Sequence, residues 1–247
     1  MTTRTRWIGI GLVVVAACIV WGVVSIPRAV RAFFYPPAGP MPPIVSQTEE
    51  QILVALESAL KNKAPQVLSR MQPGLSETEI TNLEQQAGVR LSDEMRQLYH
   101  WRNGYATRDP LIVGPIPGHR FVPLAEALGL AAILTNQVAK VSFVQRAAFE
   151  ILAGQRKSWI TLFDDGCGDG YFFDHKRKPA EGAIFYSFAQ DRTYIFFPSL
   201  KNLLAGAVKC YEQGAYYWTN APAGGSLAED FDRTEAIWHE FGSSPID

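Results

Sequence analysis

Apolar residues recur along this chain in three rhythms, and each predicts a different kind of element. The first is unbroken: from Trp7 to Ile26 there are 20 consecutive uncharged residues, mostly Val, Ile, Ala and Gly. At ~1.5 Å per residue such a run covers about 30 Å, the thickness of a bilayer's hydrocarbon core. It reads as one transmembrane helix, with Trp7 and Trp21 toward its ends and Arg4, Arg6, Arg28 and Arg31 bracketing it. Two processed alternatives stand beside it. One is a cleaved secretory signal; the other is a lipoprotein signal in which Val15-Ala16-Ala17-Cys18 presents a thiol for acylation. The apolar run outlasts the roughly 7 to 15 residues of a signal core and no A-x-A site follows it, which favours the uncleaved, single-pass anchor. Arginines balance across the span, so the charge rule leaves the side of the soluble part undecided. After Phe33, Phe34 and Tyr35, the segment Pro36 to Pro43 holds five prolines in eight positions. Polyproline geometry makes it a stiff spacer of about 25 Å.

The second rhythm is helical. Ser46-Gln47-Thr48-Glu49 has the form of a capping box, and Ile52, Leu53, Leu56 and Leu60 then fall on one stripe. A second box, Ser76 to Glu79, opens a helix carrying Ile80, Leu83 and Ala87, which Gly88 closes. Ser92 caps a third, with Met95, Leu98 and Tyr99 inward and Asn103-Gly104 as its left-handed stop. Leu124 to Leu152 predicts two further helices, ended by Gly154. Ser199 caps the best-patterned helix, in which Leu200, Leu203, Leu204, Ala207, Val208 and Tyr211 form a continuous face that must pack on a sheet. After a break at Asn220 to Gly225, Leu227, Phe231, Trp238 and Phe241 are expected to share the face of a last helical segment.

The third rhythm is short, aromatic and β-branched: Arg120 to Val122, Trp159 to Phe163, Tyr171 to Asp174, Ala183 to Phe188 and Thr193 to Phe197. The last four predict an antiparallel meander. Helices, then clustered strands, then helices indicate an α+β fold, an antiparallel-rich sheet flanked by helices and preceded by one transmembrane helix. The organisation expected is a tail at 1–6, the span at 7–26, a juxtamembrane and Pro-rich linker at 27–45, a globular domain at 46–218 and an acidic extension at 219–247.

Charge narrows the function. The first 46 residues hold four Arg and no acid, which leaves 19 basic against 24 acidic residues in the remainder, a charge of −5. Nucleic acid is excluded as a partner, since phosphate neutralisation needs clustered cations and the longest basic run is Lys176-Arg177-Lys178, read as a solvated turn. Three cysteines, one of them Cys18, give no disulfide framework.

The most conspicuous candidate for chemistry is Asp164-Asp165-Gly166-Cys167-Gly168-Asp169-Gly170. Read as an EF-hand loop begun at Asp165, it puts Cys167 at an oxygen position and Lys176 where the bidentate Glu belongs, so calcium is rejected. Read as a hairpin turn, its glycines supply positive φ and its aspartates bond their own backbone. His100, His119, His175 and His239 have no spacing that pairs one with Cys167 or Cys210, and no G-x-S-x-G, H-E-x-x-H, P-loop or G-x-G-x-x-G is present. No catalytic, metal or cofactor residue is assigned. A hydrolase using the Asp164 to Asp169 turn with a histidine from elsewhere is the enzymatic alternative. Tyr99, Trp101, Tyr105, Tyr211, Tyr216, Tyr217 and Trp218 are more large aromatics than one small core normally absorbs. An acidic, aromatic surface suits a protein partner, and Trp101, Tyr105, Asp164, Asp165 and Asp169 are its candidate residues.

Ser76 to Tyr105, SETEITNLEQQAGVRLSDEMRQLYHWRNGY, resembles the opening of the SUKH superfamily in its Smi/Knr branch: a capped helix, a G-V-x-L, an acidic hinge, and a helix ending in Asn-Gly. Trp159 to Phe163, Gly168-Asp169 running into Phe172-Phe173-Asp174, and Ser199 to Leu204 continue the likeness, which covers roughly 70 to 215. Thr161, where a Pro often stands, and the longer helical stretch before Trp159 depart from it. The resemblance implies an α+β binding module without catalysis, either an immunity protein that neutralises a polymorphic toxin or a regulator of cell-wall synthesis.

Overall fold

Capping side chains set where the first helices begin. The computed structural model describes residues 45–105, 114–129, 159–167, 169–174, 182–187, 193–220 and 225–243. The transmembrane segment expected at 7–26, nearly all of the 27–45 linker, most of the two helices expected over 124–152, and the basic run at 176–178 lie outside those residues. Among the described residues no helix is long and apolar enough to cross a membrane.

Helix α1, Glu49–Lys63, is capped by Thr48 and not by Ser46: Thr48 Oγ1 accepts from the Gln51 amide at 3.2 Å while Gln51 Oε1 accepts from the Thr48 amide at 2.9 Å. Both frames satisfy the box spacing. The later one places Glu49 and Glu50 in the first turn, where the helix dipole favours them. Pro65 opens the short α2, Pro65–Arg70. Helix α3, Glu77–Ala87, carries the expected Ser76/Glu79 box and ends at the left-handed Gly88. Helix α4, Asp93–Trp101, is capped by Ser92. Its end differs from expectation: the chain leaves through an extended Arg102, which bridges to Pro73. Gly104, at φ +64°, serves a different need, because a Cβ there would sit 2.5 Å from the Phe121 carbonyl oxygen.

Five antiparallel strands follow in sequence order: β1, Arg120–Phe121; β2, Trp159–Asp164; β3, Gly170–Asp174; β4, Ile184–Ser187; and β5, Thr193–Phe197. A short helical segment at 124–129 follows β1. Between Thr161 and Phe163 the β2–β3 register shifts, and the Leu162 carbonyl accepts from the Val122 amide at 2.9 Å. That irregularity ties the chain after β1 to β2. On one face of the sheet a chain of ring contacts runs from α4 toward the C-terminus: Tyr99 to Phe121 at 5.4 Å, Phe121 to Phe163 at 5.3 Å, Phe163 to Tyr171 at 6.2 Å, Tyr171 to Phe196 at 5.8 Å and Phe196 to Trp238 at 5.3 Å. On the other face Trp159 stacks on Phe185 at 4.9 Å. Both faces of β2 are buried, as its apolar run requires.

Helix α5, Leu200–Gln213, is buried nearly all round, not along a single stripe. It packs against α1, β5, β6 (Tyr216–Thr219) and α6 (Phe231–Glu240). The small residues Ala205, Gly206 and Ala207 permit that crowding, since a Cβ on Gly206 would already touch Trp238 and Phe241. The last segment also departs from expectation. Leu227 belongs to a strand, β7 (Ser226–Glu229), which pairs with β6 across residue 218, and Phe231 faces solvent at 66% exposure. Asn202 Nδ2 donates to the Phe241 carbonyl at 2.9 Å, so the acidic C-terminal segment is bonded to α5.

Candidate functional site

The acidic residues singled out by sequence occupy the β2–β3 turn, and the structure supplies the groups around them. Asp165 holds the turn closed: its Oδ1 accepts from the Cys167 amide at 2.8 Å and the Asp169 amide at 2.9 Å, while its own amide donates to the Asp169 carbonyl at 3.1 Å. Gly170 lets the strands meet, because a Cβ there would lie 2.4 Å from the Phe163 carbonyl oxygen. Asp164 is paired by register with Arg120. The Arg120 guanidinium donates to Asp164 from Nη2 at 2.7 Å and Nε at 3.3 Å, and to Glu126 from Nη1 at 2.9 Å and Nη2 at 2.7 Å. Glu126 and Asp164 together hold the buried guanidinium charged, raising its pKa against the desolvation that opposes it.

Next to this turn the topology places His119, the histidine that no spacing in the chain could have pointed to. Its ring lies against Tyr171 at 4.8 Å and Tyr186 at 5.7 Å. A carbonyl cannot donate, so the contact with the Pro117 oxygen at 2.9 Å assigns the hydrogen to Nδ1. Nε2, 3.2 Å from the Tyr186 hydroxyl, is then the acceptor. Burial pulls the imidazole pKa down, and the Pro117 carbonyl and the charges of Asp165, Asp164 and Asp169 oppose it more weakly. His119 and the three aspartates thus form one neighbourhood, but Asp164, Asp165 and both His119 nitrogens already have hydrogen-bond partners within the fold.

Trp101 stands elsewhere, at the end of α4, beside an open groove of about 610 Å³ between α1 and α4. Leu53, Val54, Glu57, Lys61, Gln97 and Trp101 line it. The indole Nε1 donates to Glu57 Oε2 at 2.8 Å, and the same carboxylate binds Lys61 at 2.8 Å and Arg102 at 3.1 Å. Lys61 foremost, with Trp101 and Arg102, lowers the Glu57 pKa against the desolvation that would raise it. The Arg102 guanidinium also lies 5.9 Å from the Trp101 ring centroid. Trp101 is therefore fixed in position with part of its ring open to solvent. Val54, 65% exposed, extends the apolar floor. The only sequence signal for Val54 was its place off the Ile52, Leu53, Leu56, Leu60 stripe.

Tyr105 does not belong to any surface. It is 5% exposed, and its hydroxyl donates to the Val67 carbonyl at 2.7 Å. The expectation of a partner contact there is corrected by a core position: the chain crosses back under β1 immediately after α4, with the Tyr105 amide bonded to Phe121 O. Cys167 and Cys210 are free thiols, the first exposed and the second buried. Among the described residues no group of three or more His, Cys, Asp or Glu side chains is arranged to hold a metal ion.

Comparison with known families places one match on this framework: residues 74–206 fit the family model described as SMI1 / KNR4 family (SUKH-1). The matched segment runs from the entry to α3 through the sheet to the middle of α5. No curated protein matches the chain.

Proposed function

This chain belongs to the SMI1 / KNR4 family (SUKH-1), and from that premise we propose that it is a non-enzymatic protein-binding module, tethered to a membrane by residues 7–26, whose partner seats in the α1/α4 groove on Trp101. An immunity protein that neutralises a toxin domain is the role this reading favours; a regulator of cell-wall synthesis would use the same surface. One observation carries it. Trp101 is held by Glu57 in a half-apolar, solvent-open groove, the arrangement of a rigid aromatic anchor that has lost its rotamer freedom before the partner arrives. Each of Asp164, Asp165 and His119 has an internal structural task.

His119 beside the acidic turn supports the second reading, an anchored hydrolase with the histidine as base. That reading requires Nε2 to exchange the Tyr186 hydroxyl for a substrate proton. The two are separated by co-expressing the chain with candidate toxin domains and scoring survival, then measuring affinity by calorimetry. Trp101→Ala is expected to abolish protection and weaken binding, with His119→Gln retaining both. Loss of protection in His119→Gln with Trp101→Ala unaffected would overturn the groove reading, and turnover lost in His119→Gln at unchanged affinity would favour the hydrolase.

A further inference from the structure

The α1/α4 groove carries its charges in a fixed order along α1. Glu50, Leu53, Val54, Glu57, Ser58 and Lys61 line it from that helix, a spacing that keeps them on one side for about three turns, or about 16 Å. At one end Glu49 leans toward Lys201 of α5, 4.0 Å away, while Glu50 is exposed to the groove. At the other end two cations share one carboxylate: Lys61 lies 2.8 Å and Arg102 3.1 Å from Glu57, which leaves that end positive. Lys61 is 62% exposed, so its ammonium is open to a second partner. Between the two ends Val54 and the Trp101 ring supply the apolar surface. His100, on the α4 wall, engages the Leu75 carbonyl at 2.7 Å and Glu77 at 2.9 Å with its two ring nitrogens.

Two helices form the walls, and their backbone groups are paired within the helices themselves. An extended segment laid there would bring a row of N–H and C=O groups and find no strand edge to pair with, whereas a helix arrives with its own backbone satisfied. Direction follows from charge. Acidic residues favour the first turn of a helix and basic residues the last, as α1 shows with Glu49 and Glu50 at its start and Lys61 and Lys63 at its end. A second helix of that pattern laid parallel to α1 would set acid on Glu50 and base on Lys61. Laid antiparallel, it meets an opposite charge at both ends, and the two macrodipoles also oppose favourably.

We propose, on the groove reading above, that the part of the partner seated there is an amphipathic helix of about three turns running antiparallel to α1. Its acidic first turn lies over Lys61 and Arg102, its basic last turn over Glu50, and its apolar stripe on Val54 and Trp101. Helix α1 precedes residue 74, where the family match begins, so the order of charges that selects this direction lies outside the matched segment.

Two stapled helical peptides of about three to four turns with the same leucine stripe test this against the full chain in lipid nanodiscs, with empty discs as reference. One carries Glu in its first turn and Lys in its last; the other has the charges exchanged. The first is expected to bind about tenfold tighter at low salt, read from the shift of the Trp101 indole proton, and the preference is expected to shrink to about threefold in Glu50→Lys and toward unity in high salt. A nitroxide at its N-terminus is expected to broaden the Lys61 amide, and one at its C-terminus the Glu50 amide. Equal or reversed preference, the opposite broadening, or equal binding by an unstapled peptide with two central prolines would overturn the proposal. Self-crosslinking at Val54→Cys beyond that of the unsubstituted chain would give the groove to a second copy, and probe binding that tightens when residues 36–43 are replaced by Gly and Ser would give it to the Pro-rich segment; either also overturns it. If neither peptide binds while a toxin domain is lost by Trp101→Ala, the helix fails and the groove reading stands. A toxin domain held as tightly by Trp101→Ala as by the unsubstituted chain overturns both.

Discussion

The β2–β3 turn and the α1/α4 groove each set hydrogen-bonded carboxylates near an aromatic side chain, yet those bonds hold different things in place. In the turn, Asp164 faces Arg120 and Asp165 faces its own backbone, so the carboxylates are oriented by the protein itself. In the groove, Glu57 is also engaged, but what it holds is an indole whose ring stays partly open. A dense acidic motif in a sequence is therefore weak evidence for a site when a hairpin and a buried arginine need those carboxylates. A lone Trp at a helix end is stronger evidence when its N–H is anchored and its ring is only partly covered.

The largest effect expected from breaking this comparison is at Arg120. Arg120→Ala leaves Asp164 and Glu126 part-buried without their cation, which costs about 3 kcal/mol and lowers Tm by about 6 to 12 °C in a thermal melt. An unchanged melt would mean that the turn is not held from within. Next is Trp101→Ala, expected to weaken partner binding about 30-fold, or ~2 kcal/mol by calorimetry, with the circular dichroism spectrum unchanged. Asp165→Ala removes the acceptor of two amides and is expected to cost about 1 kcal/mol in a denaturant titration while partner affinity stays within about twofold. Equal affinity losses in the two variants would erase the distinction between the regions.

The smallest effect sharpens the comparison with a carboxyl that neither region uses. Among the described residues Glu94 Oε2 is buried without a hydrogen-bond partner, and burial first, then Glu49, raises its pKa above 4.5, with Lys201 opposing. The folded state holds that proton more tightly than the unfolded chain does. Its contribution to stability is full below pH 4.5 and is lost as pH rises through the folded value. Glu94→Gln is expected to raise Tm at pH 7 by about 2 °C and to leave it unchanged at pH 4. A gain at both pH values would show that the effect is not one of charge.

Local chemistry in the sequence marked most element starts and the sheet. Ser76, Ser92 and Ser199 cap where their spacing placed them, and the four short aromatic runs became neighbouring strands in chain order. The failures are those in which two local readings compete or tertiary contact decides. Thr48 and Ser46 offered equal boxes, and helix-dipole placement of two glutamates separated them. Leu227 and Phe231 fitted a helical stripe, but pairing with Tyr216 to Thr219 drew Leu227 into a strand and left Phe231 outside. Trp101 was visible as an excess aromatic, whereas Tyr105, chosen on the same ground, lies in the core because the chain turns under β1 just after it. His119 could not be found at all, since its closeness to Asp164 depends on β1 pairing with β2 across more than forty residues.

Amide hydrogen exchange on the full chain, alone and with the proposed protein partner in saturating amount, reads directly whether the groove or the turn is covered. A partner seated in the groove is expected to slow exchange in the segments of α1 and α4 that border it, Glu50 to Lys61 and Gln97 to Trp101, with the Asp164 to Gly170 turn unchanged. Slowed exchange centred on the turn and His119, with α1 and α4 unaffected, would contradict it.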